Sequence, residues 1–475
     1  MSVNPSHADN INNESKVCVI VGQCIEAITS AVVLASLGQT VHLYADLEIL
    51  EQQLQQYGFE RHLQALWQMY DQQQQIVSQA LPANADKLIQ VYETSSNHTP
   101  DNEGGDNVDI DIDIDGEGKG NVNVEGAGVA LYWLFLDSMK STWLDDSWIT
   151  AFNYSNQQTV PIVLSAIEPL GQVADLAARL KRAWVYYVPF VFLQDGDAYS
   201  SMLKPSLWLL GEKTSDSRSQ HLSPLQPLIQ NAQVQHCADI ATIEFARSSI
   251  MSMLATRVSF MNEMSRLADC HDIDIQQVSH IMGLDERVGS SYLQAGWGFG
   301  GKTLPDELKQ LQQSGQASRV DMPLLQSVMH INEDQKELIF RKFWQYFDGF
   351  IDNKTVMIWG GSYKSGSGRT VGSAIHPLLA LLWSYNIRTL VYSDKAKAEL
   401  HNLYSEQSLL ELIDEPYSAL ANTQALFIMS YSSDNDIDIK QINKTAQPIF
   451  DGQNILTRAQ INQLIGDYIG IGRAK

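Results

Sequence analysis

The chain contains no cluster of lysine and arginine. With 32 Lys and Arg against 55 Asp and Glu, its formal net charge is −23. That balance excludes nucleic acid and an anionic membrane surface as expected partners, because both repel an acidic protein. Cysteine is scarce: Cys18, Cys24, Cys237 and Cys270 show neither metal-ligand nor redox spacing. No apolar run approaches a bilayer span. The longest, near Leu378 to Trp383, is preceded by His376 and Pro377, so no membrane insertion is expected. The opening MSVNPSHADNINNESK lacks the apolar core of a secretory leader, and a cytoplasmic protein with reduced thiols is the expectation. An intact glycine-rich dinucleotide turn is missing as well.

What is present is ample globular material. The 475 residues are 44% hydrophobic, enough for large cores and about three domains. Lys16 to Gly22 reads as a buried strand, an apolar helical pattern follows through Leu37, and Thr40 to Ala45 reads as a second strand. This is a βαβ opening of the doubly wound type. Its turn should read G-x-G-x-x-G, where the glycines permit a tight bend and the close approach of a pyrophosphate. Only Gly22 survives; Cys24 and Ala27 hold the other two places. Ala27 is tolerable there, whereas the Cys24 side chain would crowd a phosphate and Glu26 would repel it. The ribose-binding acid expected after the second strand falls on Ala45, with Asp46 one place late. Gly22, Ala27 and Asp46 are therefore the candidate cofactor contacts, and NAD binding and its loss both stay open.

Gln52 to Gln79 is Gln-rich, with Leu, Tyr and Trp at helical spacing, and predicts one or two surface helices. Asn102 to Gly128 is acidic, rich in Gly and Asn and without aromatics, too polar for a packed core. Within it Asp111, Asp113, Asp115 and Gly116 spell D-x-D-x-D-G, the first half of a calcium loop, although Val122 stands where the twelfth-position acid belongs. A divalent-ion site and a solvated acidic loop are both compatible with that pattern. Further strands are expected at Ala130 to Leu136 and Pro161 to Ala166, and a strand and turn at Trp184 to Leu193. Cys237 to Asp269 is helical by its three-and-four spacing, and Leu324 to Phe340 predicts another helix. Thr355 to Gly361, a helix from Ser373, and Arg388 to Ser393 form a second βαβ unit.

Gly283 to Leu311, GLDERVGSSYLQAGWGFGGKTLPDELKQL, packs Gly296, Gly298, Gly300 and Gly301 around Trp297 and Phe299, and predicts a site loop rather than a core segment. Over its length this stretch resembles the signature of the UDP-glucose/GDP-mannose (nucleotide-sugar) 6-dehydrogenase family, which reads GLDxRIG, GFGFGG, then S-C-F-P-K-D. ATRVSFMNEMSRLA resembles that family's central helix, GGSYKSGSGRT its lysine-bearing turn, and IFDGQNIL with YIGIGR its closing strand and terminal GxGR. The resemblance implies two Rossmann-like doubly wound α/β domains joined by a central helical domain. The expected boundaries are a disordered tail over 1–15, an N-terminal domain over 16–215 with the acidic insertion at 98–128, the helical domain over 236–335, and a C-terminal, nucleotide-sugar-type domain over 336–475.

The resemblance also implies a chemistry that this chain lacks the groups to perform. The family oxidises a primary alcohol twice with NAD through a cysteine thiohemiacetal and thioester, and a thiol of pKa about 8.5 suits that route. Thr303 stands in the cysteine's place, and Glu307 where the family has the aspartate of P-K-D. Arg247 replaces the reacting lysine and Met251 the asparagine, Ala166 replaces a threonine, and Phe190 with Val191 fill the turn that should carry a general base. Arg247 cannot share a proton as lysine does. Lys364, Arg287, Gly300 and Gly301 are retained at positions that the resemblance assigns to nucleotide-sugar binding. The expected protein is a family member that has lost the Cys-dependent oxidation, and binds a nucleotide-sugar or serves as a regulator or scaffold. Its expected assembly is a homodimer, or a heterodimer with an active paralogue. A single hydride transfer using Thr303 and Glu307 is the enzymatic alternative.

Overall fold

The computed structural model describes residues 16–93, 128–136, 144–213, 221–431 and 437–473. The tail over 1–15, most of the acidic insertion and the candidate ion ligands Asp111, Asp113 and Asp115 lie outside the described residues. The first half of the chain runs β1 (Val17–Val21), α1 (Ile25–Ser36), β2 (Thr40–Ala45), α2 (Leu47–Gln56), α3 (Leu63–Gln72), β3 (Ile76–Ala80), α4 (Ala85–Glu93) and β4 (Val129–Phe135). It continues with α5 (Asp146–Tyr154), β5 (Ile162–Ser165), α6 (Gln172–Arg179), β6 (Val185–Tyr187), α7 (Ala198–Leu203), β7 (Leu207–Glu212), α8 (Gln226–Asn231) and β8 (Val234–Asp239). These strands make one sheet in the order β3-β2-β1-β4-β5-β6-β7-β8, parallel except where β6 meets β7. The strand order reverses between β1 and β4, and the crevice beyond their carboxyl ends is where such sheets bind ligands.

A helical region follows: α9 (Ile240–Cys270), α10 (Ile275–Leu284), α11 (Thr303–Ala317), α12 (Pro323–Gln335) and α13 (Leu338–Tyr346). The second sheet uses β9 (Thr355–Trp359), α14 (Ile375–Ser384), β10 (Arg388–Tyr392), α15 (Lys397–Tyr404), β11 (Leu410–Ile413), β12 (Ala425–Ile428), α16 (Ile439–Ile442), β13 (Ile449–Asp451), α17 (Arg458–Ile461) and β14 (Tyr468–Gly470). Its order is β11-β10-β9-β12-β13-β14, wholly parallel. The fold is α/β, two parallel-sheet domains with helices between them. No helix among the described residues is long and apolar enough to cross a membrane.

Three expectations need correction. The Gln-rich stretch gives two helices, but its end, from Ile76, is the edge strand β3: Val41 to Ala45 supply a partner that a helical count cannot register. Cys237 to Asp239 finish β8, and the long helix starts only at Ile240, where the Asp239 carboxylate caps the Thr242 amide at 2.9 Å. Leu324 to Phe340 is two helices, broken at Lys336 and Glu337.

The far end of the chain is tied to the helical region. Gly472 carbonyl accepts the Ile275 amide at 2.8 Å and the Gly472 amide donates to Asp269 at 3.0 Å. Gly472 has φ 62°, and a Cβ there would lie 2.7 Å from that of Ser265. Buried Asp451 accepts the amides of Ile455 and Leu456, each at 3.0 Å, and the Tyr468 hydroxyl at 3.1 Å, which fixes the DGQN turn.

On β2, His42 Nδ1 lies 2.6 Å from the Tyr92 hydroxyl, itself 3.0 Å from that of Tyr44. Burial lowers the His42 pKa to about 4, so the folded ring is neutral at pH 7. An unfolded histidine binds its proton near pH 6.5. The contribution is therefore complete above pH 6.5 and is lost as pH falls from there toward 4. Between pH 7 and 5 this amounts to about 2 kcal/mol. Urea unfolding at the two pH values should show that the His42→Gln variant loses less stability than the wild type by this margin.

Candidate active site

The crevice between β1 and β4 is built by residues that fill it. Gly22 (φ 147°) ends β1 without a side chain because a Cβ there would lie 2.7 Å from that of Phe135. Phe135, closing β4, stacks on Trp133 at 5.3 Å and meets Phe190 at 5.6 Å between ring centres. The aromatic packing continues through Phe192 to Trp208. At the start of α1, Cys24 occupies the N-cap with no side-chain cap, Ala27 is fully buried and Glu26 sits in the first turn. The Gln23 side chain accepts the Asp46 amide at 2.9 Å, bridging from the turn to the end of β2. The Asp46 carboxylate itself caps α2 through the amides of Glu48 and Ile49.

Among the described residues Glu26, Phe135, Ala166, Phe190, Arg247 and Thr303, with others, line a pocket of about 20 Å³. That is room for about one water. Arg247 and Glu307 are 4% and 1% exposed and form an ion pair between α9 and α11, and Glu307 also accepts the Ser248 hydroxyl at 2.8 Å. Thr303 is exposed in the first turn of α11. Met251 is buried. The structure thus brings Thr303 and Arg247 to one void, with Glu307 joined to Arg247. A threonine hydroxyl and a guanidinium already bound to a carboxylate supply neither a ready nucleophile nor a free base.

The glycine loop before α11 is anchored by three buried amides. Asn332 Oδ1 accepts the Phe299 amide at 2.7 Å while its Nδ2 donates to the Phe299 carbonyl at 3.0 Å. Asn262 accepts the Gly296 amide at 2.9 Å, and Gln335 donates to the Gly296 carbonyl at 2.7 Å. Trp297 and Phe299 are 2% and 8% exposed, the first in the core under the second sheet and the second in the core among the helices. The expectation of a loop that is not a core segment is corrected here: its aromatics are core anchors. The close approach its glycines allow is to the chain itself. A Cβ on Gly300 would lie 2.6 Å from the Gly372 carbonyl, one on Gly301 2.8 Å from the Tyr363 ring, and the Gly301 amide donates to Val371.

Lys364 lies 5.7 Å over the Tyr363 ring. Its charge acts on Glu60, a carboxylate that burial pushes upward in pKa while the amides of Ala198 and Gly196 pull it back. Arg287 is 89% exposed, bound to Asp285 in the same turn, and is not among the residues lining the void. Among the described residues there is no group of three or more His, Cys, Asp or Glu side chains that could hold a metal. Sequence reasoning missed Phe135, Gln23 and the pair in which the Arg369 guanidinium donates to the Tyr57 hydroxyl. A bulky aromatic at the end of the strand beside Gly22 was the signal available for the first; the others depend on contacts across the fold.

Breaking the buried pair checks this geometry. Glu307→Gln leaves a guanidinium buried without its counter-charge and should cost about 3–5 kcal/mol, whereas Arg247→Met combined with Glu307→Leu should recover most of it. Chemical denaturation of the three proteins is the measurement.

Comparison with known proteins bears on this site. The model of the UDP-glucose/GDP-mannose dehydrogenase family, central domain, matches residues 241–334. A UDP-glucose 6-dehydrogenase of Pseudomonas aeruginosa is 28% identical over 328 residues, 67% of this chain and 72% of that protein. One of Rickettsia bellii is 25% identical over 284 residues, 59% of this chain and 65% of the relative. Among solved structures, a UDP-glucose dehydrogenase from Pyrobaculum islandicum superposes with a TM-score of 0.72 at 16% identity, covering 98% of this chain and 100% of its own. A UDP-D-ManNAc dehydrogenase from Pyrococcus horikoshii gives 0.70 at 13% identity over 96% and 100%.

Proposed function

Because the chain belongs to the UDP-glucose/GDP-mannose dehydrogenase family, we propose that it keeps the family's frame and nucleotide-sugar association but not its Cys-dependent oxidation. It is read as a cytoplasmic pseudoenzyme of nucleotide-sugar or polysaccharide metabolism. The observation that carries the reading is the void of about 20 Å³ at the meeting point of Thr303 and Arg247. A nicotinamide and a hexose each need many times the room of one water. NAD, which the family resemblance implies, does not fit these residues: Phe135 and Phe190 fill its crevice, Gln23 spans the gap toward Asp46, and Glu26 places negative charge at the helix start where a pyrophosphate would lie. Lys364, Arg287, Gly300 and Gly301 are the positions that the family resemblance implies for a nucleotide-sugar, and the domain boundaries at 215, 236 and 336 belong to the same proposal.

Titration calorimetry with NAD, UDP-glucose, UDP-glucuronate and GDP-mannose tests it. NAD should give no heat up to about millimolar concentration, and NADH absorbance should not rise with any of the sugars. Thr303→Cys should stay inactive, since restoring the thiol restores neither the base nor the space. Micromolar NAD binding by the wild type would overturn the reading. Silence from every nucleotide-sugar would leave the scaffold role and remove the ligand.

Self-association is proposed through α9. This 31-residue helix is about 46 Å long, and its exposed face carries Phe245, Met253, Phe260 and Leu267, with Glu263 the one charged residue in the exposed class. Phe245 and Leu267, and likewise Ser249 and Glu263, stand equally far from Thr256 along the helix. A two-fold antiparallel pair would therefore match apolar to apolar and give the lone carboxylate a hydroxyl. Light scattering should give twice the 53.1 kDa chain mass, and Met253→Asp should halve it. A monomeric wild type that pairs only with an active relative would favour the heterodimer.

A further inference from the structure

Tyr57 to Glu60, after α2, and Gln194 to Ala198, before α7, face the turn between β9 and α14 across the cleft that separates the two sheets. The contacts between them are made by the chain's own side chains. The Tyr363 hydroxyl donates to the Asp195 carboxylate. Arg369 Nη1 donates to the Tyr57 hydroxyl, and its guanidinium lies 5.0 Å over the same ring. A Cβ on Gly368 would lie 2.3 Å from the Phe59 ring, which packs on that backbone, and one on Gly196 2.7 Å from the Gly366 carbonyl, where the two backbones meet directly. Glu60, 4% exposed, stiffens the first side by accepting the Gly196 amide at 2.8 Å and the Ala198 amide at 3.0 Å. Arg369 is braced on the second by Glu399 at 3.5 Å.

We infer that these two side-chain pairs form a clasp that holds the domains shut without any ligand. Closure is then a property of the chain rather than of substrate, and a ligand that needs the domains farther apart must first break Tyr363–Asp195 and Tyr57–Arg369.

The test is hydrogen exchange of the full, ligand-free chain. In the wild type the amides of Gly196, Ala198 and Tyr363 should be protected, the last through its bond to the Arg369 carbonyl. Tyr57→Phe combined with Tyr363→Phe removes both hydroxyls but keeps the rings, including the one packed on Gly301. Losing a hydrogen bond to a charged group at each point should speed exchange at these amides about tenfold or more and raise the radius of gyration in solution scattering. Tyr346→Phe is the matched control: it removes a Tyr–Asp pair of 2.8 Å made wholly on the C-terminal side, to Asp467, and should leave the cleft amides unchanged. If the double variant does not fold, Tyr363→Phe alone serves, with a smaller acceleration. Fast exchange at these amides in the wild type, no change in the variants, or the same change in the control would each overturn the clasp. No ligand is needed for the readout, so its failure is separate from failure of the nucleotide-sugar reading.

Discussion

The structure depends on how one irregular segment satisfies its backbone. Between Gly296 and Phe299 the chain is neither helix nor strand, yet it is buried between two cores, and an unmet amide or carbonyl there would cost about as much as any single side chain contributes. Asn262, Asn332 and Gln335 meet those groups from α9 and α12. With the backbone settled, Trp297 can enter the core of the second sheet and Phe299 the core of the helices. The segment thereby fixes where the C-terminal domain sits, and with it which residues can face one another across the cleft.

Within that frame Arg247 is buried. A buried guanidinium needs a counter-charge, and Glu307 provides it one turn into α11. Aromatic rings occupy the crevice at the switch point, where their packing on Trp133 and Trp208 favours a filled site over an open one.

Much of the frame was legible because it is local. Strand β1, helix α1 and strand β2 follow directly from an apolar run and a helical spacing, and the glycine-rich stretch and the DGQN turn placed the later elements in order. The replaced positions at Thr303, Arg247 and Glu307 could be located by counting along the helix and loop. Their consequence could not, since it rests on Glu307 pairing with Arg247 some sixty residues away and on Phe135 meeting Phe190. Strand β3 was hidden by its Gln-rich setting, and β8 by the helix that follows it at once. The burial of Trp297 and Phe299 was obscured because glycine-rich sequence reads as loop whether or not the loop is enclosed. Contacts between distant turns, such as Tyr57 with Arg369, leave no periodicity to find.

The bond from the Ile275 amide to the Gly472 carbonyl has a consequence in time. Helix α10 receives this partner, and Asp269 the Gly472 amide, from residues translated roughly 200 positions later, which at ribosomal speed is about 10–40 s. During that interval the C-terminal end of α9 and the start of α10 lack the partners that Gly472 supplies, while α11 and α12 can already pack against α9. The order of synthesis therefore makes the junction of α9 and α10 one of the last places in this polypeptide to gain its backbone partners.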